Sequence, residues 1–140
     1  MSQSKYKNEP VMFNGIPFDS KDELRYYQFL LGLQSRGVIS EIVLQPCVEL
    51  MPKFEKHGRK YKAITYTPDF LVTYSNGGQV YIDLKGMSTQ QGIMRRKMFA
   101  YMIDIPLHWV AASKKYSETG FLDYDELQRL RREAKGGKKA

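Results

Sequence analysis

Apolar positions along the chain fall into two periods, one helical and one extended. After Ser20 they recur at Leu24, Tyr27 and Leu31, widened by Leu30 and Leu33 on the same side. Ser20 and Glu23 stand in capping-box relation and Gly37 is a good stop, so a first helix is predicted over Ser20–Arg36. Phe13-Asn14-Gly15-Ile16 reads as a turn leading into it. Val38–Met51 is rich in β-formers, with Pro46 marking an edge or bulge, and Pro52–Lys60 reads as a polar, basic connection. Tyr61–Tyr74 alternates well enough for one long strand, with Ile64, Tyr66, Phe70 and Val72 among its apolar positions. Ser75-Asn76-Gly77-Gly78 is a hairpin signal, and Val80–Leu84 is the return strand. Gly86 ends that strand, and Ser88 or Thr89 caps a second helix running to about Met102. Leu107–Ala112 reads as a last core strand and Asp123–Ala134 as a terminal helix. The order of helix, three mostly antiparallel strands, helix, strand and helix defines an α+β (mixed α/β) fold. It divides into an irregular N-terminal arm over 1–12, a single domain over 13–134 and a basic, disordered tail over 135–140.

Composition narrows the class. A chain of 140 residues fits one domain with one proper core, and 42% hydrophobic residues place it among folded chains. The single cysteine, Cys47, excludes an internal disulfide and suits a reducing cytoplasm. Its place in the apolar run Val43–Val48 predicts a buried, inert thiol. No stretch approaches the roughly 20 apolar residues that span a bilayer. Lys5, Lys7 and Glu9 without an apolar run do not read as a signal peptide. A cytoplasmic, membrane-free protein is expected. The net charge of +7 is concentrated at one end: Arg129–Ala140 carries six bases against Glu133, a net of +5, which leaves +2 for everything before it. Charge alone therefore supports a nucleic-acid partner only weakly.

Three features carry candidate chemistry. Asp83 and Lys85 lie two apart on a strand and so share a face; charged groups on an apolar strand cost desolvation unless they have partners or work. An ion pair at a sheet edge is the plain alternative. Pro68-Asp69 places a second carboxylate on the preceding strand, and the hairpin at Asn76-Gly77 brings it near Asp83. Two carboxylates in one place repel unless a divalent cation joins them. Asp69 could otherwise simply end strand pairing beside Pro68. The register separates these readings. If Ser75 pairs with Gly78, Asp69 faces Leu84 and the two carboxylates lie on opposite faces. An odd-numbered loop or a bulge brings them to the same face, and that arrangement is the one predicted. The third feature is Glu23, which completes the capping box and suits the helix dipole, or leans over the sheet as a ligand.

Pro68-Asp69, then Asp83-Leu84-Lys85, with Glu23 on a leading helix, resembles the PD-(D/E)xK nuclease superfamily over roughly Phe13–Ala112. More narrowly the chain is similar to small phage-encoded endonuclease-like proteins and, in layout, to resolvases of branched DNA. The resemblance implies a restriction-endonuclease-like core of helix, three strands, helix and strand, here with an added C-terminal helix. It implies that Asp69 and Asp83 bind Mg²⁺ (Mn²⁺ substituting) with the Leu84 backbone carbonyl, and that Glu23 completes the metal shell. Lys85 would orient the attacking water and stabilise charge at phosphorus. Glu23, Asp69, Asp83 and Lys85 are thus the expected catalytic set, with no small-molecule cofactor. Hard oxygen donors suit Mg²⁺ or Mn²⁺ better than zinc.

Further residues are candidates for DNA contact. Thr89 starts the second helix just beyond Lys85, and that helix carries Arg95, Arg96 and Lys97. Lys56, Arg59, Lys60 and Lys62 form another basic stretch around His57, with Tyr61 and Tyr66 nearby, suited to backbone contact or reach into a groove. Gln45 is a candidate neighbour of the site, and Trp109 is expected in the core. The leading expectation is an endodeoxyribonuclease acting on branched DNA such as a Holliday junction, as a homodimer making paired cuts, in the host cytoplasm if phage-encoded. A general or homing-type endonuclease or nickase, and a non-catalytic nucleic-acid-binding protein of the same fold, are the alternatives.

Overall fold

The computed structural model describes residues 10–139, with side chains over residues 10–136. Two short strands, β1 (Val11–Phe13) and β2 (Ile16–Phe18), precede the first helix as a hairpin. Asn14 (φ 52°) and Gly15 (φ 78°) both take the left-handed conformation that a tight two-residue hairpin turn requires, so this stretch is a full hairpin, more than a lead-in turn. The arm expected over residues 1–12 lies mostly outside the described residues, and its last part belongs to β1. Helix α1 (Lys21–Ser35) starts at the extended Ser20, whose Oγ accepts the Glu23 N–H at 3.1 Å. Glu23 Oε1 reaches back to accept the Asp19 N–H at 3.0 Å, which satisfies a second donor at the helix entry. Gly37, at φ 81°, ends it.

The remaining strands follow in chain order. They are β3 (Ile39–Leu44), β4 (Val48–Met51), β5 (Phe54–Lys56), β6 (Arg59–Tyr61) and β7 (Ile64–Tyr66). After these come β8 (Phe70–Tyr74), β9 (Gln79–Leu84), β10 (Leu107–Ala112) and β11 (Phe121–Asp123). Helix α2 (Gln90–Met102) is capped by Thr89, whose hydroxyl accepts the Gly92 N–H at 3.0 Å. The central sheet has the order β11-β10-β9-β8-β3, with β9 and β10 parallel and the other pairs antiparallel. The fold is therefore mixed α+β. The parallel pair needs a crossover, and α2 provides it.

Strand alternation sends Phe70, Val72, Val80 and Ile82 to one face, where they form the main core with Phe18, Tyr26 and Leu30. The opposite face packs Tyr66 and Leu50 with Phe99 of α2. Trp109 and Ala111 meet Tyr124 and Leu127 on helix α3 (Tyr124–Lys139). Helix α3 continues through 135–139, where a disordered tail was expected. Arg129 pairs with Glu126 and Glu133 on either side of it, and such i,i+3 and i,i+4 pairs support helix in an exposed segment. No helix among the described residues is long and apolar enough to cross a membrane.

Three further expectations are corrected. The stretch Tyr61–Tyr74 is not one strand: it breaks at Lys62–Ala63, after the end of β6, and again at Thr67–Asp69, where Pro68 has no N–H to give a ladder. The polar, basic connection read over Pro52–Lys60 holds a two-stranded ribbon, Phe54–Lys56 against Arg59–Tyr61, turning at His57 (φ 54°) and Gly58 (φ 77°). Cys47 is exposed, because Gln45 (φ 49°) and Pro46 break the apolar run between β3 and β4 and leave the thiol in the connection.

Candidate active site

The relation between the two aspartates is set by the β8–β9 register. Phe70 faces Ile82 and Thr73 faces Gln79, and the Tyr74 N–H donates to the Gly78 carbonyl at 2.7 Å. The loop is thus the odd-numbered Ser75–Gly77, with Gly77 at φ 94°. Continued past Phe70, this register sets Asp69 against Asp83, the arrangement a shared site requires. Hydrogen-bonded pairs recur every second residue, so Leu84 would next exchange bonds with Pro68. Proline cannot donate. The Leu84 N–H instead donates to Asp69 Oδ2 at 2.8 Å, and the Leu84 carbonyl, on the same strand edge, has no ladder donor there. One proline therefore ends the ladder, turns Asp69 toward β9 and frees a carbonyl beside it.

Asp83 and Lys85 do share a place. Lys85 Nζ lies 3.0 Å from Asp83 Oδ2, and both side chains are largely shielded from solvent. The Tyr66 hydroxyl donates to the same Asp83 oxygen at 2.7 Å, and Trp109 Nε1 donates to the Tyr66 oxygen at 2.9 Å. The ammonium of Lys85 sits 4.9 Å from the centroid of the Trp109 ring. Burial, and then the Asp83 charge, hold the Tyr66 phenol protonated far above its ordinary range. The sequence marked Tyr66 as an apolar strand position and as a neighbour of the basic stretch, but not as a partner of Asp83. Its role as a donor to Asp83 depends on the separate β4–β7 pair that carries it.

Asp69 faces the other way as well. With Glu23, Gln45, Ile16, Pro17, Phe18 and Leu44 it lines a cavity of about 140 Å³. Its pKa is raised well above the ordinary carboxylate value by burial first, then by a hydrogen bond with Glu23 and the Asp83 charge, while the Leu84 N–H acts in the opposite direction. Glu23 is only 3% exposed. It caps α1 and also touches Asp69, so the two readings of this residue are compatible.

A divalent cation fits this donor set. Asp69, Asp83 and the Leu84 carbonyl are hard oxygens around one strand end, and an ionised Asp69 is penalised there by two neighbouring acids and by burial. Among the described residues no three acids, histidines or cysteines converge as a ready-made metal cage, so the carbonyl and water would have to complete the shell.

The expected DNA-contact residues separate into two groups. Lys56, Arg59, Lys60 and Lys62 are all exposed on or beside the β5–β6 ribbon. On α2, Thr89 is occupied as the cap, Lys97 is exposed, and Arg95 is half-buried with Nε lacking a hydrogen-bond partner. Arg96 stacks 4.3 Å from the Trp109 centroid and pairs through both terminal nitrogens with Asp125 of α3. Arg96 thus packs α2, β10 and α3 together at the back of Trp109.

Fold and site together define a mixed α+β protein with two buried acids, Glu23 and Asp83, a half-buried Asp69 and a lysine gathered at one end of the central strand of a five-stranded sheet. Residues 3–118 match a family described as a protein of unknown function (DUF1064), and the chain belongs to that family. The match spans Glu23, Asp69, Asp83 and Lys85 and ends before β11 and α3. No curated protein matches the chain.

Proposed function

We propose that the chain is a Mg²⁺-dependent endodeoxyribonuclease of the PD-(D/E)xK type. The observation that carries the reading is the β8–β9 register, which if continued one residue past Phe70 would bring Asp69 opposite Asp83, whose carboxylate Lys85 already holds. Asp69, Asp83 and the Leu84 carbonyl would hold the ion, with Glu23 supporting Asp69. When bound, Mg²⁺ supplies electrophilic stabilisation of charge on the phosphoryl oxygens. Lys85 keeps a shielded ammonium at the reacting face, where it orients water for in-line attack and stabilises charge building on phosphorus. Asp83, held by Tyr66, fixes the position of that ammonium. The chain has the bases to carry a phosphate backbone in the exposed ribbon.

Branched DNA such as a Holliday junction is the preferred substrate class, cut by a homodimer so that two sites make paired incisions. Support for a second copy comes from α2, which leaves Ile93, Met94, Tyr101 and Met102 exposed, an apolar surface of the kind that marks an interface. The test is incubation with Mg²⁺ or Mn²⁺ and linear duplex, single-stranded, flap and four-way-junction DNA, beside Asp83→Ala. Metal-dependent cleavage lost in Asp83→Ala supports the reading. No cleavage of any substrate, or equal cleavage by the variant, defeats it and leaves a nucleic-acid-binding protein of the same fold.

A further inference from the structure

The β5–β6 ribbon stands apart from the central sheet as its own two-stranded sheet, and all six of its strand residues are exposed. Phe54 pairs with Tyr61 and Lys56 with Arg59, so these four side chains share one face, while Glu55 and Lys60 take the other. The Phe54 and Tyr61 rings stack at 4.7 Å and 14°, yet each remains 42% exposed. The Arg59 guanidinium lies 5.9 Å from the Tyr61 centroid. Residues 53–62 hold five bases and one acid, a net of +4, which with the +5 of the C-terminal segment exceeds the total of +7. The rest of the chain is therefore net negative, and the ribbon is a local cationic feature.

We propose that this ribbon is a recognition arm for an unpaired nucleobase and its flanking phosphates, the base stacking on the Phe54–Tyr61 face and the phosphates meeting Lys56 and Arg59. The inference rests on DNA being the substrate and adds which feature of that DNA is sensed. A cross-strand aromatic pair also helps hold an isolated ribbon together. That role accounts for the pairing but not for the surrounding cationic charge or for the half-exposed rings. Aromatic faces interleaved with bases are the chemistry of single-strand binding, because every unpaired base offers a π-face and a paired base in a duplex does not. The ribbon also continues directly from the site. Tyr66 ends β7 and Tyr61 ends β6, five residues or roughly 16 Å of extended chain away, so a strand held at Asp83 passes within reach of the arm.

The experiment is fluorescence anisotropy of the full chain, in chelator so that nothing is cut, with a splayed fork and a blunt duplex of equal length. Wild type should prefer the fork. Phe54→Ala and Tyr61→Ala should each weaken fork binding about tenfold or more, leaving duplex binding nearly unchanged. Lys56→Ala and Arg59→Ala should weaken both and flatten the salt dependence. Phe54→Leu keeps an apolar cross-strand contact but loses the stacking face, and should behave as Phe54→Ala. Phe54→Trp should retain fork binding and quench 2-aminopurine placed in the unpaired arm. Absence of fork preference, equal losses on fork and duplex, or wild-type fork binding by Phe54→Leu overturns the proposal. Cleavage of the same DNAs in Mg²⁺ separates the two readings. Cutting without fork preference overturns the arm alone, and fork recognition without cutting overturns the nuclease alone.

Discussion

The Tyr66 hydroxyl donates to Asp83 Oδ2 at 2.7 Å while accepting from Trp109 Nε1, so the acid that holds Lys85 is itself held from the core. Replacing Tyr66 by Phe removes one oxygen, strands the buried Trp109 N–H and leaves Asp83 Oδ2 to Lys85 alone. Leaving a buried polar group unsatisfied costs about 1–3 kcal/mol, and Tyr66→Phe is expected to lower the unfolding free energy by that amount in urea titration. It should also slow cleavage with little change in DNA affinity, because Tyr66 positions Asp83 and Lys85 without touching the backbone.

Asp69 gives a signed pH dependence. Its folded-state pKa is raised, so its contribution to stability is full below the ordinary value of 3.8 and falls as pH rises toward the folded value. Asp69→Asn removes that loss, and its amide can still accept from the Leu84 N–H and donate to Glu23. In chelator at neutral pH the variant should melt above wild type, by on the order of 3–6 °C, and the gap should close on acidification to pH 3.5. Added Mg²⁺ should raise the wild-type melting temperature and leave Asp69→Asn unmoved. A variant that melts below wild type at neutral pH would remove the electrostatic argument for a cation at this site.

Gly77 sets the register on which the site depends. Its φ of 94° is left-handed and nothing lies within 4 Å of an added Cβ, so Gly77→Ala meets only a backbone penalty. The expected cost is about 1–2 kcal/mol by thermal or urea unfolding, with cleavage retained because the loop length is unchanged.

Much of this was legible in the sequence where local chemistry decides. Ser20 and Thr89 cap their helices, Leu107–Ala112 is β10, and parity called for an odd loop or a bulge if the two aspartates were to share a face; the loop is the odd one. What was hidden depends on contacts distant in sequence. Tyr66 meets Asp83 only because the break at Pro68 separates β7 from β8, which join different sheets. Arg96 read as a free base, but its pairing with Asp125 and stacking on Trp109 require α3 to be docked. The ribbon at Phe54–Tyr61 was masked by its charge, since strand signals rest on burial and no residue there is buried.

The most direct test of the central claim is single-turnover cleavage of a labelled four-way junction in Mg²⁺ by wild type and by Asp69→Asn, the variant expected to be the more stable of the two without metal. The account predicts metal-dependent cutting by wild type and a loss of at least about 100-fold in Asp69→Asn, a loss that unfolding cannot explain. Cleavage by Asp69→Asn at the wild-type rate, or none by wild type, would contradict it.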